Sequence, residues 1–234
     1  MALPKLSHPT FELEIPSTKQ KIRYRPFLVK EEKILLIAQQ SNDPQDMIFA
    51  IKQVLQNCSI DSVDVDSLTT FDIEYFFIKL RSKSINNVVT LRYKDLEDEQ
   101  IYEFEVDLEK IEVDYNPEHE NTVQISDNTL LMLKYPRISM LSAVKSENET
   151  DFVFAVLRQC LDKLIQGKKE FGFADESIEE IDDFITSLDV KSFNKIQSFL
   201  DTMPKIRHTI NYTNSLGNER KIVLENLEDF FTLG

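Results

Sequence analysis

The histidines and cysteines are the residue types in this chain that could bind a transition metal or act as nucleophiles. The 234-residue sequence has three histidines, His8, His119 and His208, and two cysteines, Cys58 and Cys160. None has a partner at the spacing of a zinc site or of a nucleophile and its base. Both cysteines fall among apolar residues on helical patterns, which predicts buried free thiols. For His119 and His208 we predict exposed imidazoles with no chemical role.

Carboxylates are abundant and could serve acid–base catalysis or calcium binding. They form two tracts, within residues 95–112 and 175–183. The four glycines, at positions 167, 172, 217 and 234, provide neither a phosphate-binding loop nor the glycine of a calcium loop. In the first tract acids alternate with apolar residues, a pattern typical of a hairpin with one solvated face. The sequence therefore predicts no enzyme, no cofactor, no metal site and no small-molecule substrate.

The charge balance restricts the kinds of partner that the chain can bind. Its 41 acidic and 27 basic residues give a formal net charge of −14, which disfavours a nucleic-acid partner. No stretch approaches the roughly 20 apolar residues that a membrane span needs, and the first residues do not have the pattern of a signal peptide. We therefore expect a protein of a reducing cytoplasm that binds neither nucleic acid nor membrane.

The elements that must position these residues follow from periodicity. In the first half we predict a β-hairpin over 10–26, helices over 29–40, 44–57 and 70–82, and a second hairpin over 87–106. Asp43 is the predicted N-cap of the second helix, and Pro44 suits the first helical position because it lacks an N–H.

The second half repeats this plan in the same order. The matched segments are 122–136 with 10–26, 151–163 with 46–58, 192–200 with 70–80, and 208–231 with 88–113. This repetition predicts an α+β fold of two similar lobes from an internal duplication, each with a β-hairpin, helices and another β-hairpin. The predicted lobes are 1–118 and 119–234. The second lobe carries a helical insertion at about 167–189, whose helix begins at Ser177 with Glu180 completing a capping box.

Three segments have the composition of protein contacts. One combines arginines, aromatics and a proline, a second resembles it, and a third is the apolar end of the chain. Arginine and tyrosine are favoured at interface hot spots. The alternative is that these segments pack within the chain. The predicted partner-binding residues are Arg23, Tyr24, Arg25, Pro26, Phe27, Tyr135, Phe230 and Phe231.

Three phrases of the sequence resemble a known family. They are the stretch Tyr-Arg-Pro-Phe-Leu-Val-Lys-Glu-Glu-Lys-Ile-Leu-Leu at 24–36, the opening Leu-Pro-Lys-Leu at 3–6 and the closing Leu-Glu-Asp-Phe-Phe at 227–231. All three are similar to the hub subunits and hub assembly proteins of T4-type bacteriophage baseplates. The resemblance extends over almost the whole chain, although it includes no catalytic motif.

The resemblance implies a role in building the hub of a contractile tail, as a chaperone-like assembly factor or a minor hub component. It implies other baseplate hub or tail proteins as partners. The expected location is the host cytoplasm during assembly, with the virion tail baseplate as the location of a hub component. Some relatives carry cysteine pairs in the last hairpin, where this chain has Thr213 and Asn214, so we expect side-chain packing alone to hold this hairpin. The alternative function is a phage-encoded acidic regulatory protein that binds a host factor.

Overall fold

The computed structural model describes residues 6–41, 43–138 and 149–231 of the chain. For residues 149, 150 and 231 it describes the backbone but not the side chain. Within these ranges the chain forms seven α-helices and eleven β-strands, and the strands are arranged in four small sheets. The predicted α+β class is confirmed.

The chain divides into two compact units, and the division differs from the predicted lobes. The first unit combines Met1–Asp114 with Lys205–Gly234, and the second unit is Tyr115–Pro204. The last hairpin therefore belongs to the first unit, although the sequence pattern assigned it to a second lobe. The reason is a strand pairing between distant segments, in which Ile206 lies opposite Val113.

The first unit has three long helices and a short one near its C-terminal end. The helices are α1 (Val29–Ser41), α2 (Pro44–Cys58), α3 (Thr70–Ser84) and α7 (Leu227–Phe231). The strands are β1 (Phe11–Glu14), β2 (Lys21–Tyr24), β3 (Val88–Lys94), β4 (Ile101–Asp107), β5 (Glu112–Asp114), β10 (Lys205–Thr213) and β11 (Glu219–Leu224). The pairs β1–β2 and β3–β4 form two-stranded sheets, and β11, β10 and β5 form a three-stranded sheet in that order.

Helix α3 is buried on most of its sides, as its wide apolar surface predicts. Six of its apolar side chains are buried: Phe71, Ile73, Phe76, Phe77, Ile78 and Leu80. A capping box closes its start, because the Thr69 N–H donates to the Asp72 carboxylate at 3.1 Å and the Asp72 N–H donates to Thr69 Oγ1 at 3.3 Å. The backbone N–H of Ser17, in the turn of the first hairpin, also donates to Asp72 at 2.9 Å. One carboxylate thus joins the β1–β2 turn to the start of α3.

The last hairpin completes a core that the first 114 residues share. Ile206, Leu224 and Phe230 are buried in one cluster with Ile78 of α3 and Leu91 of β3. The cluster draws on both segments of the first unit, so neither segment buries it alone. Each large apolar side chain that is fully buried contributes about 1.5–3 kcal/mol to the stability of the folded unit.

In the second unit, residues 115–138 and 149–204 form one four-stranded sheet and three helices. Its strands are β6 (Thr122–Ser126), β7 (Thr129–Leu133), β8 (Leu161–Gln166) and β9 (Lys169–Gly172), and each pairs antiparallel with the next. Its helices are α4 (Glu149–Cys160), α5 (Ile178–Ser187) and α6 (Val190–Thr202). Helix α5 has the predicted capping box, since the Ser177 N–H donates to Glu180 at 3.0 Å and the Glu180 N–H donates to Ser177 Oγ at 3.2 Å.

The described elements do not confirm the internal duplication. In the first unit three helices separate two hairpins, whereas in the second unit the strands β8 and β9 lie between helices α4 and α5. The segment 151–163 was matched to a helix, but α4 ends at Cys160 and a strand begins at Leu161. The segment 167–189, predicted as a helical insertion, includes the edge strand β9 as well as helix α5. Leu161–Gln166 is a strand because it pairs with β7.

Candidate interaction surface

An apolar groove of about 460 Å³ lies on the first unit, between helices α1 and α2 and the end of α3. We call it the α1–α2 groove. Its apolar lining is Phe27, Leu35, Leu36, Ala38, Pro44, Met47, Ile51, Phe77, Ile85 and Leu227. Two of these residues are open to solvent although they are large and apolar, since Leu36 is 52% exposed and Ile85 is 58% exposed.

Helices α1 and α2 form the helical hairpin that shapes this groove. Asp43 is the N-cap of α2, as predicted, and its Oδ1 accepts the Gln45 N–H at 2.8 Å. Pro44 takes the first helical position. With so short a connection the two helices must run antiparallel and pack side by side.

The exposure of Leu36 follows from a run of four large apolar residues in α1. The run is Ile34-Leu-Leu-Ile37, and four consecutive helical positions point around the whole helix. One side of α1 packs on the unit, where Ala38 is buried, so other members of the run must face solvent. Ile37 is 58% exposed. Leu36 is thus an exposed part of the apolar lining of the groove, and an exposed apolar groove marks an interaction site in soluble proteins.

The predicted contact residue Arg25 is used inside the unit, where it holds the start of α1. Its guanidinium donates to Glu31 at 3.0 Å and to the Asn57 carbonyl at 2.9 Å. Burial would raise the pKa of Glu31, but hydrogen bonds from Arg25 and from the Leu28 N–H outweigh it and lower the pKa. The ionised Glu31 side chain is fully buried at the first turn of α1.

The other predicted residues of this segment have different environments. Arg23 is exposed and pairs with Asp61 at 2.7 Å. Tyr24 is 2% exposed and packs edge-on against Phe76 at 5.5 Å, so it is a core residue and not a surface contact. Phe27 is also buried, at 7% exposure, but it lines the α1–α2 groove. Its backbone N–H donates to Ser84 Oγ at 3.0 Å.

The remaining predicted contact residues lie in several local environments. Pro26 is half-buried. Tyr135, in the second unit, is half-buried and stacks on Phe199 at 5.8 Å. Phe230 is 1% exposed, because α7 turns its ring into the core of the first unit. The side chain of Phe231 lies outside the described residues.

The charged residues that line the groove are mainly acidic. They are Glu32, Asp43, Arg81 and Glu228, so three of the four carry a carboxylate. Glu32, Asp43 and Glu228 are exposed. Burial lowers the pKa of Arg81. The groove therefore presents an apolar floor with a rim of negative charge.

The cysteines are buried, and the described residues contain no metal-binding cluster. Within the described ranges, no group of three His, Cys, Asp or Glu residues could hold a metal ion. The predicted buried thiols are confirmed. Burial raises the pKa of Cys58 to about 11 and of Cys160 to about 12, which keeps both thiols protonated at neutral pH. In the described part of the chain no helix is long and apolar enough to cross a membrane.

The histidines differ from their prediction, because they are only partly exposed. His119 Nδ1 is 2.9 Å from the Thr202 hydroxyl, and the ring lies 5.0 Å from Phe199 and stacks on Tyr135 at 5.5 Å. His208, on β10, is half-buried. Burial lowers the pKa of both imidazoles. The polar stretch around His119, in which both neighbours are glutamates, gave no signal of this aromatic packing.

The first acidic tract is only partly the solvated face that its pattern predicts. Glu103 and Glu105 of β4 are exposed, which agrees with the alternation. However, Asp95 is fully buried, and its carboxylate accepts the Tyr212 hydroxyl at 2.7 Å. Arg220 of β11 lies 3.3 Å from the same carboxylate. The turn of the β3–β4 hairpin is thus a binding site for the last hairpin.

Hydrogen bonds connect the tips of these two hairpins. Glu97 accepts the side-chain amides of Asn214 at 2.8 Å and Asn218 at 2.7 Å. Asp98 accepts both the backbone N–H and the hydroxyl of Ser215, at 2.9 and 2.7 Å. We call these residues the hairpin-tip network. The last hairpin is therefore held by polar bonds as well as by packing, contrary to the expectation of packing alone.

The sequence did not predict the α1–α2 groove. Its signal was the run Ile34–Ile37, in which the hydrophobic residues exceed what one buried helix face can accommodate. A run of this kind is equally compatible with ordinary core packing, so it does not identify a groove. The groove depends on the end of α3 and the start of α7, which local periodicity does not bring together.

Comparison with known proteins gives one match that covers nearly the whole chain. The model of a family described as T4 bacteriophage base plate protein matches residues 8–232. No curated protein and no solved structure matches the chain.

Proposed function

The chain belongs to the T4 bacteriophage base plate protein family, and from this premise we propose that it is a baseplate hub assembly protein. In this role it binds other hub or tail proteins through the α1–α2 groove and performs no catalysis. It acts either as a chaperone-like factor or as a minor hub component. Family membership supports the tail baseplate as a location, and the proposed function adds the host cytoplasm during assembly.

The observation that carries this proposal is the solvent-exposed apolar lining of the groove. Leu36 and Ile85 are each more than half exposed, although both are large apolar residues. Such surface in a baseplate protein is best explained by a partner that covers it, because apolar burial is the main driving force of association.

The strong negative charge supports an assembly role in a second way. A net charge of −14 keeps copies of the chain apart in solution while the apolar groove remains open. An assembly factor needs this combination, because it must bind its partner without first associating with itself.

Quantitative mass spectrometry of purified particles, beside the lysate they came from, tests the proposed function. A small fixed copy number per tail identifies a hub component, whereas abundance in the lysate with absence from particles identifies an assembly factor. Absence from particles together with normal tails in a deletion strain would overturn the hub role. Two matched variants test whether the groove is needed for this role. Leu36→Asp, in the groove, should reduce the yield of complete tails. Leu216→Asp, at an exposed leucine outside the groove, should leave the yield unchanged.

The net charge also supports a second candidate, a phage-encoded acidic protein that binds a basic host factor. A contact of that kind would be dominated by exposed charges and would weaken steeply with salt. Binding through the groove would lose only the contribution of its exposed rim charges at high salt, because apolar burial is not screened. Salt dependence of the captured complex therefore separates the two functions.

A further inference from the structure

We propose that the α1–α2 groove binds one amphipathic helix of another protein, with apolar side chains on one face and lysine or arginine beside that face. This inference rests on the proposed function and names the chemistry of the partner. It follows from the shape of the groove, the residues on its floor and the charges on its rim.

The floor of the groove suits the apolar side of a helix. Leu35 and Leu36 of α1 line the groove together with Met47 and Ile51 of α2. Grooves between packed helices commonly receive a third helix through side chains spaced three and four residues apart. A methionine in the lining adapts to side chains of different shapes because it is unbranched and flexible.

The rim selects the charge of the helix. Glu32, Asp43 and Glu228 lie at the edges of the groove and are exposed. A lysine or arginine next to the apolar face of the bound helix would meet these carboxylates. Charge complementarity at an interface rim increases the association rate and excludes partners of the wrong charge.

A second copy of this chain is disfavoured as the occupant by the same charges. Two copies placed groove to groove would bring acidic rims together, and each copy carries a net charge of −14. Like charges opposed across an interface cost free energy. The basic, apolar helix of a different protein meets both requirements.

Two synthetic peptides of about 18 residues, or five helical turns, serve as probes in a fluorescence-anisotropy titration of the full chain. Both have the same leucine face, and their polar positions are lysine in one and glutamate in the other. The lysine peptide should bind at least about tenfold more tightly than the glutamate peptide, because only it complements the rim.

Matched variants test whether the binding occurs in the groove. Leu36→Asp and Glu32→Lys should each lower the affinity for the lysine peptide by about tenfold or more, which is the loss typical of a hot-spot residue. Leu216→Asp, at a leucine that is 62% exposed, and Glu105→Lys, at an exposed glutamate of β4, make the same chemical changes outside the groove. These two controls should leave the affinity within about twofold of the original protein. Circular-dichroism melts of all four variants check that the fold is retained.

Three results would overturn the proposal. Equal affinity for the two peptides would show that the rim carboxylates do not select the helix. If Glu105→Lys weakened binding of the lysine peptide as much as Glu32→Lys does, the peptide would be attracted nonspecifically to an acidic protein. A dimer of the original chain that Leu36→Asp dissociates would identify a second copy as the occupant. Failure in this assay concerns the groove alone, whereas failure of the hub role is read from particle composition.

Discussion

Glu74 is a carboxylate in a position where ionisation is unfavourable. It lies on α3, and burial, with a contribution from the negative charge of Asp229, raises its pKa from 4.5 to about 7. The folded chain therefore holds this proton more tightly than the unfolded chain does. As pH rises from about 4.5 to 7 the unfolded chain releases the proton first, so this group lowers the stability over that window.

We expect Glu74→Gln to stabilise the protein above pH 7 and to have little effect near pH 4.5, where both forms are neutral. The gain at pH 8 should be at most about 3 kcal/mol, from the size of the pKa change. Urea unfolding at the two pH values measures it, with the exposed Glu105→Gln as the control. An equal gain at both pH values would mean that Glu74 acts through packing and not through its charge.

Arg25 and Glu31 form a largely buried ion pair. Without Arg25 the buried Glu31 would keep only the exposed Lys30, 3.3 Å away, and the Leu28 N–H as partners. We expect Arg25→Met to destabilise the first unit by about 3 kcal/mol or more, because Glu31 would remain buried. The control is Arg23→Met, two residues earlier. Loss of the exposed ion pair with Asp61 should lower the free energy of unfolding by less than about 1 kcal/mol. Chemical denaturation of the two variants at neutral pH gives both values. Similar losses would contradict an internal role for Arg25.

At the scale of elements, the hairpin-tip network joins two hairpins that are more than 100 residues apart in sequence. Partial burial would raise the pKa of Asp98, but hydrogen bonds from Tyr102 and from Ser215 outweigh it and hold the pKa well below its usual range. Asp98 therefore accepts these hydrogen bonds as a carboxylate at neutral pH. Gly217, with φ of +85°, allows the tight turn that presents Ser215 to this carboxylate.

We expect Asp98→Ala to loosen the tip of the last hairpin without unfolding the unit. The Ser215 N–H would lose one of its two acceptors and keep only the Tyr102 hydroxyl at 2.6 Å, so its hydrogen exchange should accelerate by roughly tenfold. Amides in the middle of β10 should keep their protection, because they bond to β11 and not to Asp98. Exchange measured by NMR distinguishes the two groups of amides. Uniform acceleration along β10 would show that the network stabilises the whole hairpin.

For the whole molecule, the two units differ in how the chain builds them. The second unit is a single continuous segment with its own core, in which Leu131, Leu161 and Phe199 are buried together. The first unit needs both of its segments, because Ile206 and Phe230 complete its core.

We therefore expect residues 115–204, expressed alone, to fold with a cooperative thermal transition. Residues 1–114 alone should lack such a transition, since the apolar faces of β3 and α3 would lose their cover. Circular dichroism with thermal melts compares the two fragments. Joining 1–114 to 205–234 through a short flexible linker should restore the transition of the first unit, and failure to restore it would contradict the assignment of the last hairpin.

Local patterns predicted most of the elements but not the way they are assembled. Interactions between neighbouring residues determine the first hairpin, helices α1 to α3 and the helix caps at Asp43 and Ser177. Local sequence patterns were therefore sufficient to predict these elements. The pairing of β5 with β10 and of β7 with β8 joins distant segments, and no local period encodes such partners. Tyr24 and Phe230 were expected at the surface for the same reason, since composition does not say which way a ring faces.

The discontinuity of the first unit has a consequence for the order of events on the ribosome. Residues 115–204 leave the exit tunnel as a complete folding unit, while the earlier segment still lacks its last hairpin and α7. Until residues 205–234 have been translated, the apolar side chains that will contact Ile206, Leu224 and Phe230 stay uncovered. Newly made chains therefore pass through a period in which a host chaperone, or premature aggregation, competes with the arrival of the final hairpin.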